Sequence, residues 1–131
     1  MRYLLDANII SEVLRRPDGA AARRYQTEAE NCFTSIIVAS EMRYGIAKHP
    51  ERTASRDARV LLEELLIVPF EPPSDEEYGC LRAHLELAGT PIGANDMLIA
   101  AHALALDCIL VSANEREFRR VPGLKIENWA A

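Results

Sequence analysis

The chain opens with an apolar run, Tyr3-Leu4-Leu5, that ends in a carboxylate, Asp6, and is followed by Ile9, Ile10, Val13 and Leu14 at the spacing of one helical face. A short strand feeding an amphipathic helix is expected, and the helix should stop near Arg16 because Pro17-Asp18-Gly19 is turn chemistry. The alternation continues along the chain. Helical patterns are predicted over 20–30, 36–48, 51–66, 75–88, 94–106 and 115–119, and strands over 32–34, 68–70, 108–111 and 125–126. Ser35 is placed to cap the third helix, Pro50 to end it, and Gly89 to end the fifth. Pro69 cannot donate to a ladder, so 68–70 is expected at a sheet edge, with 125–126 as another. Residues 94–106 are apolar nearly all round, as in a helix buried on most sides, and Cys108-Ile109-Leu110-Val111 is the clearest buried strand. Strands separated by helices imply βαβ units: an α/β fold with a mainly parallel central sheet and helices on both faces.

With 131 residues, 49% hydrophobic and 27% charged, the chain is expected to form one domain over 1–131 with a full apolar core. No apolar run approaches the roughly 20 residues that span a bilayer, and the start lacks a signal peptide's basic segment and cleavage site; a cytoplasmic protein without membrane contact is expected. Cys32, Cys80 and Cys108 are widely spaced, and two of them lie in strand-like runs, which favours buried thiols over disulfides or a metal site. The formal charge of −5 argues against a surface coated with phosphate-binding groups. Acids gathered around metal ions would be neutralised there, however. The cations are thirteen Arg against two Lys, Lys48 and Lys125, and guanidinium groups suit bidentate phosphate contacts. A locally basic rim is compatible with this composition.

Three carboxylates stand out. Asp6 falls at the carboxyl end of a strand, where ligands bind in open α/β sheets, although capping of the next helix explains it equally well. Glu41 shares or borders the core-facing side of its helix with Val38, Met42 and Gly45 and therefore needs a partner, either an arginine or a metal. Asp96 lies in the first turn of the buried helix, where the helix dipole favours an anion; plain capping, shared with Asn95, explains that too. Together the three can converge above one sheet edge, where like charges repel and a hard divalent cation relieves them; Mg²⁺ and Mn²⁺ suit such oxygen donors. His49, His84 and His102 are scattered, which disfavours Zn²⁺, and His102 suits a satisfied core position. The chain reads as a metal-dependent nuclease.

Leu4-Leu5-Asp6-Ala7-Asn8-Ile9-Ile10-Ser11-Glu12, Ser40-Glu41-Met42-Arg43-Tyr44-Gly45 and the stretch from Pro91 through Asn95, Asp96 and His102 to Ala103 occur in the order and spacing of a known family. The chain resembles the PIN-domain ribonucleases, and among them the VapC toxins of bacterial toxin–antitoxin modules. The resemblance covers nearly the whole chain. It implies a three-layer sandwich of helices around a parallel sheet, an acidic pocket of Asp6, Glu41 and Asp96, and Mg²⁺-dependent endonucleolytic cleavage of RNA, with Mn²⁺ able to substitute. The family often carries a fourth acid after the last buried strand. The matching position here is Asn114, with Glu115 or Glu117 as a substitute and Glu117 preferred. Asn8 and Ser112 are supporting candidates, Ser112 being equally explained as a polar strand terminator. The resemblance also implies a VapB-type antitoxin that blocks the pocket, often with a basic side chain, and a homodimer.

In the mechanism expected from these residues, Asp6 and Asp96 hold Mg²⁺, directly or through waters, while Glu41 completes the shell or orients the attacking water. Arg43, Arg116, Arg119 and Arg120 are close enough in sequence to touch RNA phosphates, or form a solvated face. The helices over 20–30 and 51–66 offer a partner surface, or pack on the sheet. A catalytically weak or silent PIN-like binding module is the main alternative. A phosphoacceptor receiver domain is a weaker one, since Val68-Pro69-Phe70 is followed by Glu71 and lysines are scarce; a haloacid-dehalogenase-like phosphatase would need an acid where Asn8 stands.

Overall fold

Leu4 and Leu5 are wholly shielded from solvent, and the strand that holds them, β1 (Tyr3–Leu5), is the middle of a five-stranded sheet. The computed structural model describes residues 2–130. After β1 come α1 (Ala7–Arg15), α2 (Ala20–Glu28) with a 3₁₀ turn at Ala29–Asn31, β2 (Cys32–Ser35), α3 (Ile36–Lys48) and α4 (Thr53–Glu64). They are followed by β3 (Leu66–Val68), α5 (Ser74–Ala88), α6 (Ala94–Leu106), β4 (Ile109–Val111), α7 (Glu115–Phe118) and β5 (Lys125–Glu127). Every strand pair is parallel, and the order is β3-β2-β1-β4-β5. Right-handed crossovers, the rule for parallel strands, put α1 to α4 on one face and α5 to α7 on the other. The packing agrees: α1 meets α2, α3 and α4, whereas α5 packs along α6. The α/β sandwich predicted from the sequence is the fold observed.

Local chemistry sets most boundaries. Ser35 Oγ accepts from the Ile37 N–H at 3.0 Å and caps α3, as its position predicts. Gly89 ends α5 in the left-handed region at φ +72°, which costs a glycine little. Thr90 N–H then reaches back to the Leu85 carbonyl at 2.9 Å.

The third strand departs from expectation. It spans Leu66–Val68 rather than 68–70, and α4 ends at Glu64 rather than 66. Leu65 and Leu66 continue the apolar rhythm of the helix, so periodicity alone extends it, but ladder pairing of Phe33 with Leu66, Thr34 with Ile67 and Ser35 with Val68 fixes the strand. It ends before Pro69, which has no N–H to offer. It is an edge strand, as is β5. The helices over 20–30 and 51–66, read as a partner surface or as packing on the sheet, both pack against α1.

The main core lies around the sheet and takes in Ile9, Ile10, Phe33, Leu61, Leu85, Ile99, Leu110 and Val111. Each such side chain contributes about 1.5–3 kcal/mol by leaving water. A smaller cluster, Ala39, Ile46, Ala58 and Leu62, joins α3 to α4. Trp129, beyond β5, is buried edge-on against Tyr3 with ring centroids 5.1 Å apart, and Arg24 covers it while bonding Glu127 at 3.2 Å. Nothing in the hydropathy pattern marks this contact. Cys32 and Cys108 are buried free thiols, pushed up by burial to about 12 and about 11; Cys80 is free and exposed.

Candidate active site

From β1 the chain leaves to one side through β2 and β3 and returns on the other through β4 and β5, so the carboxyl ends of β1 and β4 flank a topological switch point. Asp6 follows β1 and Ser112 follows β4. The Asp6 N–H bonds the Val111 carbonyl at 2.9 Å, which ties the two strand ends together. Asp6 is 5% exposed, and it fills the capping role open to it from sequence while standing at the strand end where ligands bind in such sheets. Its Oδ1 accepts from the Ala7 N–H at 2.8 Å and caps α1, while Oδ2 accepts from the Ser112 hydroxyl at 2.8 Å. Asn8 Nδ2 also donates to Oδ2, at 3.5 Å, so the second lone pair of Oδ1 is the acceptor capacity left for a ligand. Burial raises the Asp6 pKa, and the Ser112 and Ala7 bonds work against it.

Ser112 is a hub rather than a simple strand terminator. Besides donating to Asp6, its oxygen accepts from the Asn114 N–H at 3.0 Å and from Asn8 Nδ2 at 3.3 Å. Asn8 Oδ1 accepts in turn from the Ala113 N–H at 3.0 Å. Asn8 thus clamps the first helix to the loop after β4.

Asp96 does not cap α6. Gly93 is the N-cap and no side chain closes that end, so neither Asp96 nor Asn95 acts in the capping role that its position suggests. Asp96 instead faces the loop after β4, where Asn114 Nδ2 donates to its Oδ2 at 3.1 Å and to Glu117 Oε2 at 3.1 Å. Asn114 and Glu117, alternatives in the sequence, are therefore both present and are bridged to each other. Burial, a hydrogen bond shared with Glu117, and the charges of Asp6, Glu117 and Glu41 push Asp96 up to about 7. The same shared bond, with Asn114, the Gly93 N–H and nearby Arg120, holds Glu117 below its ordinary value. Glu115 points elsewhere, to Arg119 and Asn128.

Glu41 carries the clearest sign of a missing partner. Its Oε1 is buried with no hydrogen bond, and no arginine pairs with it among the described residues. Burial and the Asp6 charge raise its pKa. An unpaired buried carboxylate oxygen costs a few kcal/mol or more, and a cation or a water held by one would remove that cost. The four carboxylates offer only oxygen donors, which suits a hard cation, while the Asn8 and Asn114 amides turn their N–H groups toward them and hold them in place. No three His, Cys, Asp or Glu side chains among the described residues group closely enough to hold an ion by themselves. The set accordingly fits an ion that keeps several waters, as Mg²⁺ does, better than a closed protein cage.

His102 takes no part. It is 1% exposed, its Nδ1 lies 2.7 Å from Ser35 Oγ, and burial lowers its pKa; the core position is the one expected, but Nε2 is buried without a hydrogen bond, so the ring is only half satisfied. Of the arginines near the site, Arg120 bonds the Pro91 carbonyl at 2.8 Å and Arg119 pairs with Glu115. Arg43 and Arg116 are exposed with no ion pair among the described residues. Two cavities share Glu41. One, about 400 Å³, runs between α1, α3 and α4 past Ser11, Met42, His49, Arg52 and Ala58, and continues into a groove at Leu14, Ala54 and Asp57. The other, about 460 Å³, is lined by Ile37, Ser40, Tyr44, Asn95 and Leu98. Sequence reasoning assigned no site role to Tyr44, His49 or Arg52 and gave Asn95 only a share in capping; the available signal was an aromatic residue on the side of α3 away from the core.

The sheet order, with acids gathered at its switch point, defines a class. Residues 3–124 match the family described as PIN domain, and the chain belongs to that family, in its VapC branch. It is 41% identical to the ribonuclease VapC2 of Haemophilus influenzae, over 98% of each chain, and 31% identical to the tRNA(fMet)-specific endonuclease VapC of Salmonella typhimurium, again over 98% of each. Among solved structures it resembles that of VapBC2 from Rickettsia felis bound to a promoter DNA fragment, with TM-score 0.89 and 35% identity over 98% of this chain and 99% of that one. The family assignment removes the receiver-domain and phosphatase alternatives. No helix among the described residues is long and apolar enough to cross a membrane.

Proposed function

We propose that this chain is the toxin of a VapBC-type toxin–antitoxin module and acts as a Mg²⁺-dependent endoribonuclease, with Mn²⁺ able to replace Mg²⁺. The observation that carries the reading is the buried, unpartnered Glu41 Oε1 beside Asp6 and Asp96, at the sheet edge where an α/β fold binds ligands. Asp6 and Asp96 would hold the ion, directly or through waters, and Glu117 would supply the fourth acid, with Asn114 orienting it. When bound, Mg²⁺ supplies a water of lowered pKa and positive charge against the scissile phosphate. Glu41 Oε1, lacking any other partner, would accept a hydrogen bond from a water at the site and orient it. Asn8 and Ser112 hold Asp6 in place.

The partner is a VapB-type antitoxin, and the solved relatives support it by being VapBC complexes. Its docking site is the groove along α1 and α4, which leads from exposed Val60 past Leu14 and Met42 to Glu41, so that a basic side chain could reach the acids. A homodimer is expected of the toxin as well.

The test is to incubate purified, antitoxin-free wild type and Asp6→Asn with a structured RNA pool in Mg²⁺, in Mn²⁺ and in EDTA. Scission by wild type alone, abolished by EDTA, is the expected outcome. Equal metal-dependent scission by Asp6→Asn would remove Asp6 from the mechanism. Absence of scission under every condition, with antitoxin binding intact, would favour the silent binding module.

A further inference from the structure

Tyr44 is 66% exposed although α3 buries Val38, Ala39 and Ile46 on another face. It stands three residues after Glu41 on α3, and both line the second cavity together with Ile37, Ser40, Asn95 and Leu98. At about 460 Å³ this cavity exceeds the volume of one nucleobase several times over. Asn95, beside Asp96 on α6, makes no side-chain hydrogen bond among the described residues, so its amide is free to donate and accept. Ser40 Oγ donates to the Ile36 carbonyl at 2.7 Å, which leaves it only as an acceptor. Lys48 Nζ stands over one face of the Tyr44 ring, 5.5 Å from its centre, so a base can stack only on the other face.

We propose that this cavity is a nucleobase subsite for the nucleotide next to the scissile phosphate, with Tyr44 as the stacking platform and Asn95 and Ser40 reading the base edge. The proposal rests on the nuclease function above and names the substrate contact that would determine its specificity. Unpaired RNA bases stack on aromatic rings and are read along their edges by amides and hydroxyls. The floor from Ile37 and Leu98 gives the apolar contact that a base face requires, and Lys48 is placed to meet the adjoining phosphate. Continuity with the acidic site selects RNA over a second copy of the chain.

The test uses single-stranded oligoribonucleotides carrying 4-thiouridine at each position in turn, cross-linked to the intact wild-type protein, with the adduct mapped by peptide mass. In parallel, KM and kcat for RNA scission and the sedimentation coefficient are measured for wild type, Tyr44→Ala and Tyr44→Phe. The expected result is an adduct on Tyr44 or Asn95 and a KM raised about 5- to 150-fold in Tyr44→Ala, the range given by one lost base stack. The loss falls on KM rather than kcat, Tyr44→Phe restores it, and sedimentation does not change. An adduct confined to other elements, or an unchanged KM in a folded Tyr44→Ala, would overturn the proposal. So would a Tyr44→Ala protein that sediments as a smaller species and loses scission for that reason, since the face would then join two copies of the chain. If wild type shows no metal-dependent scission but still cross-links through Tyr44, the nuclease reading fails and the base-binding subsite stands.

Discussion

Asp6 spends one oxygen on the Ala7 N–H and the other on the Ser112 hydroxyl, so its orientation is fixed before any ligand arrives. Ser112→Ala removes the donor that lowers the Asp6 pKa. RNA scission is then expected to fall about 10- to 100-fold, as for other groups that orient a metal ligand, with the acid limb of its pH profile moved to higher pH. An unchanged profile would show that Ser112 does not act through Asp6. Asn114 is the second informative position, since its amide bridges Asp96 and Glu117. Asn114→Asp adds a carboxylate there, and calorimetric titration with Mn²⁺ should show about tenfold tighter binding; weaker binding would mean that the amide bridge matters more than added charge. The residue types of this site were legible in the sequence because carboxylates beside apolar runs are conspicuous. Their partners were not, because Asp6 and Ser112 lie 106 positions apart and no local rule joins them.

At the scale of elements, boundaries followed the chemistry of caps and breakers wherever that chemistry was local. Ser35, Gly89 and Pro50 each fall at or beside a helix end. The third strand was misplaced because a helix and a strand compete for the same apolar residues, and only the ladder with β2 decides between them. Asp96 shows the same limit: a first-turn acid suggests a cap, yet the loop after β4 supplies a stronger set of partners. Ser35 joins two elements, capping α3 and bonding His102 of α6. Ser35→Ala should cost about 1–3 kcal/mol, combining a lost cap with a stranded ring nitrogen. Urea unfolding checks this, and a loss below about 0.5 kcal/mol would mean that His102 finds another partner.

For the whole molecule, the clustered acids tie stability to pH. An unfolded aspartate ionises near 3.8, whereas folded, metal-free Asp96 keeps its proton to about 7. Folding therefore takes up a proton across that interval, and this group's contribution falls as pH rises from about 4 to about 7, then levels off. Asp96 is partly exposed, so the screened effect is on the order of 1 kcal/mol, or a few degrees in Tm. Glu117, shifted down, works in the opposite sense at lower pH. The metal-free protein should melt lower at pH 8 than at pH 5, and Asp96→Asn should reduce the difference, with Asp6 and Glu41, also shifted up, accounting for the remainder. Mg²⁺ should raise Tm more at pH 8, where its ligands are ionised. Thermal scans at both pH values, with and without Mg²⁺, check all three; a Tm independent of Mg²⁺ at pH 8 would count against a metal centre.

The sequence by itself determined the alternation of strands and helices, and hence a parallel α/β sheet, because hydrophobic period and turn chemistry act over a few residues. It also determined that carboxylates end one strand and begin one buried helix. Only the tertiary structure decided that Asn114 and Glu117 share Asp96, that Asn8 and Ser112 hold Asp6, that Trp129 closes on Tyr3, and that Tyr44 opens onto a cavity beside Glu41. Those contacts join distant segments. They depend on strand order and crossover direction, which are set by the packing of the whole chain rather than by any window of it.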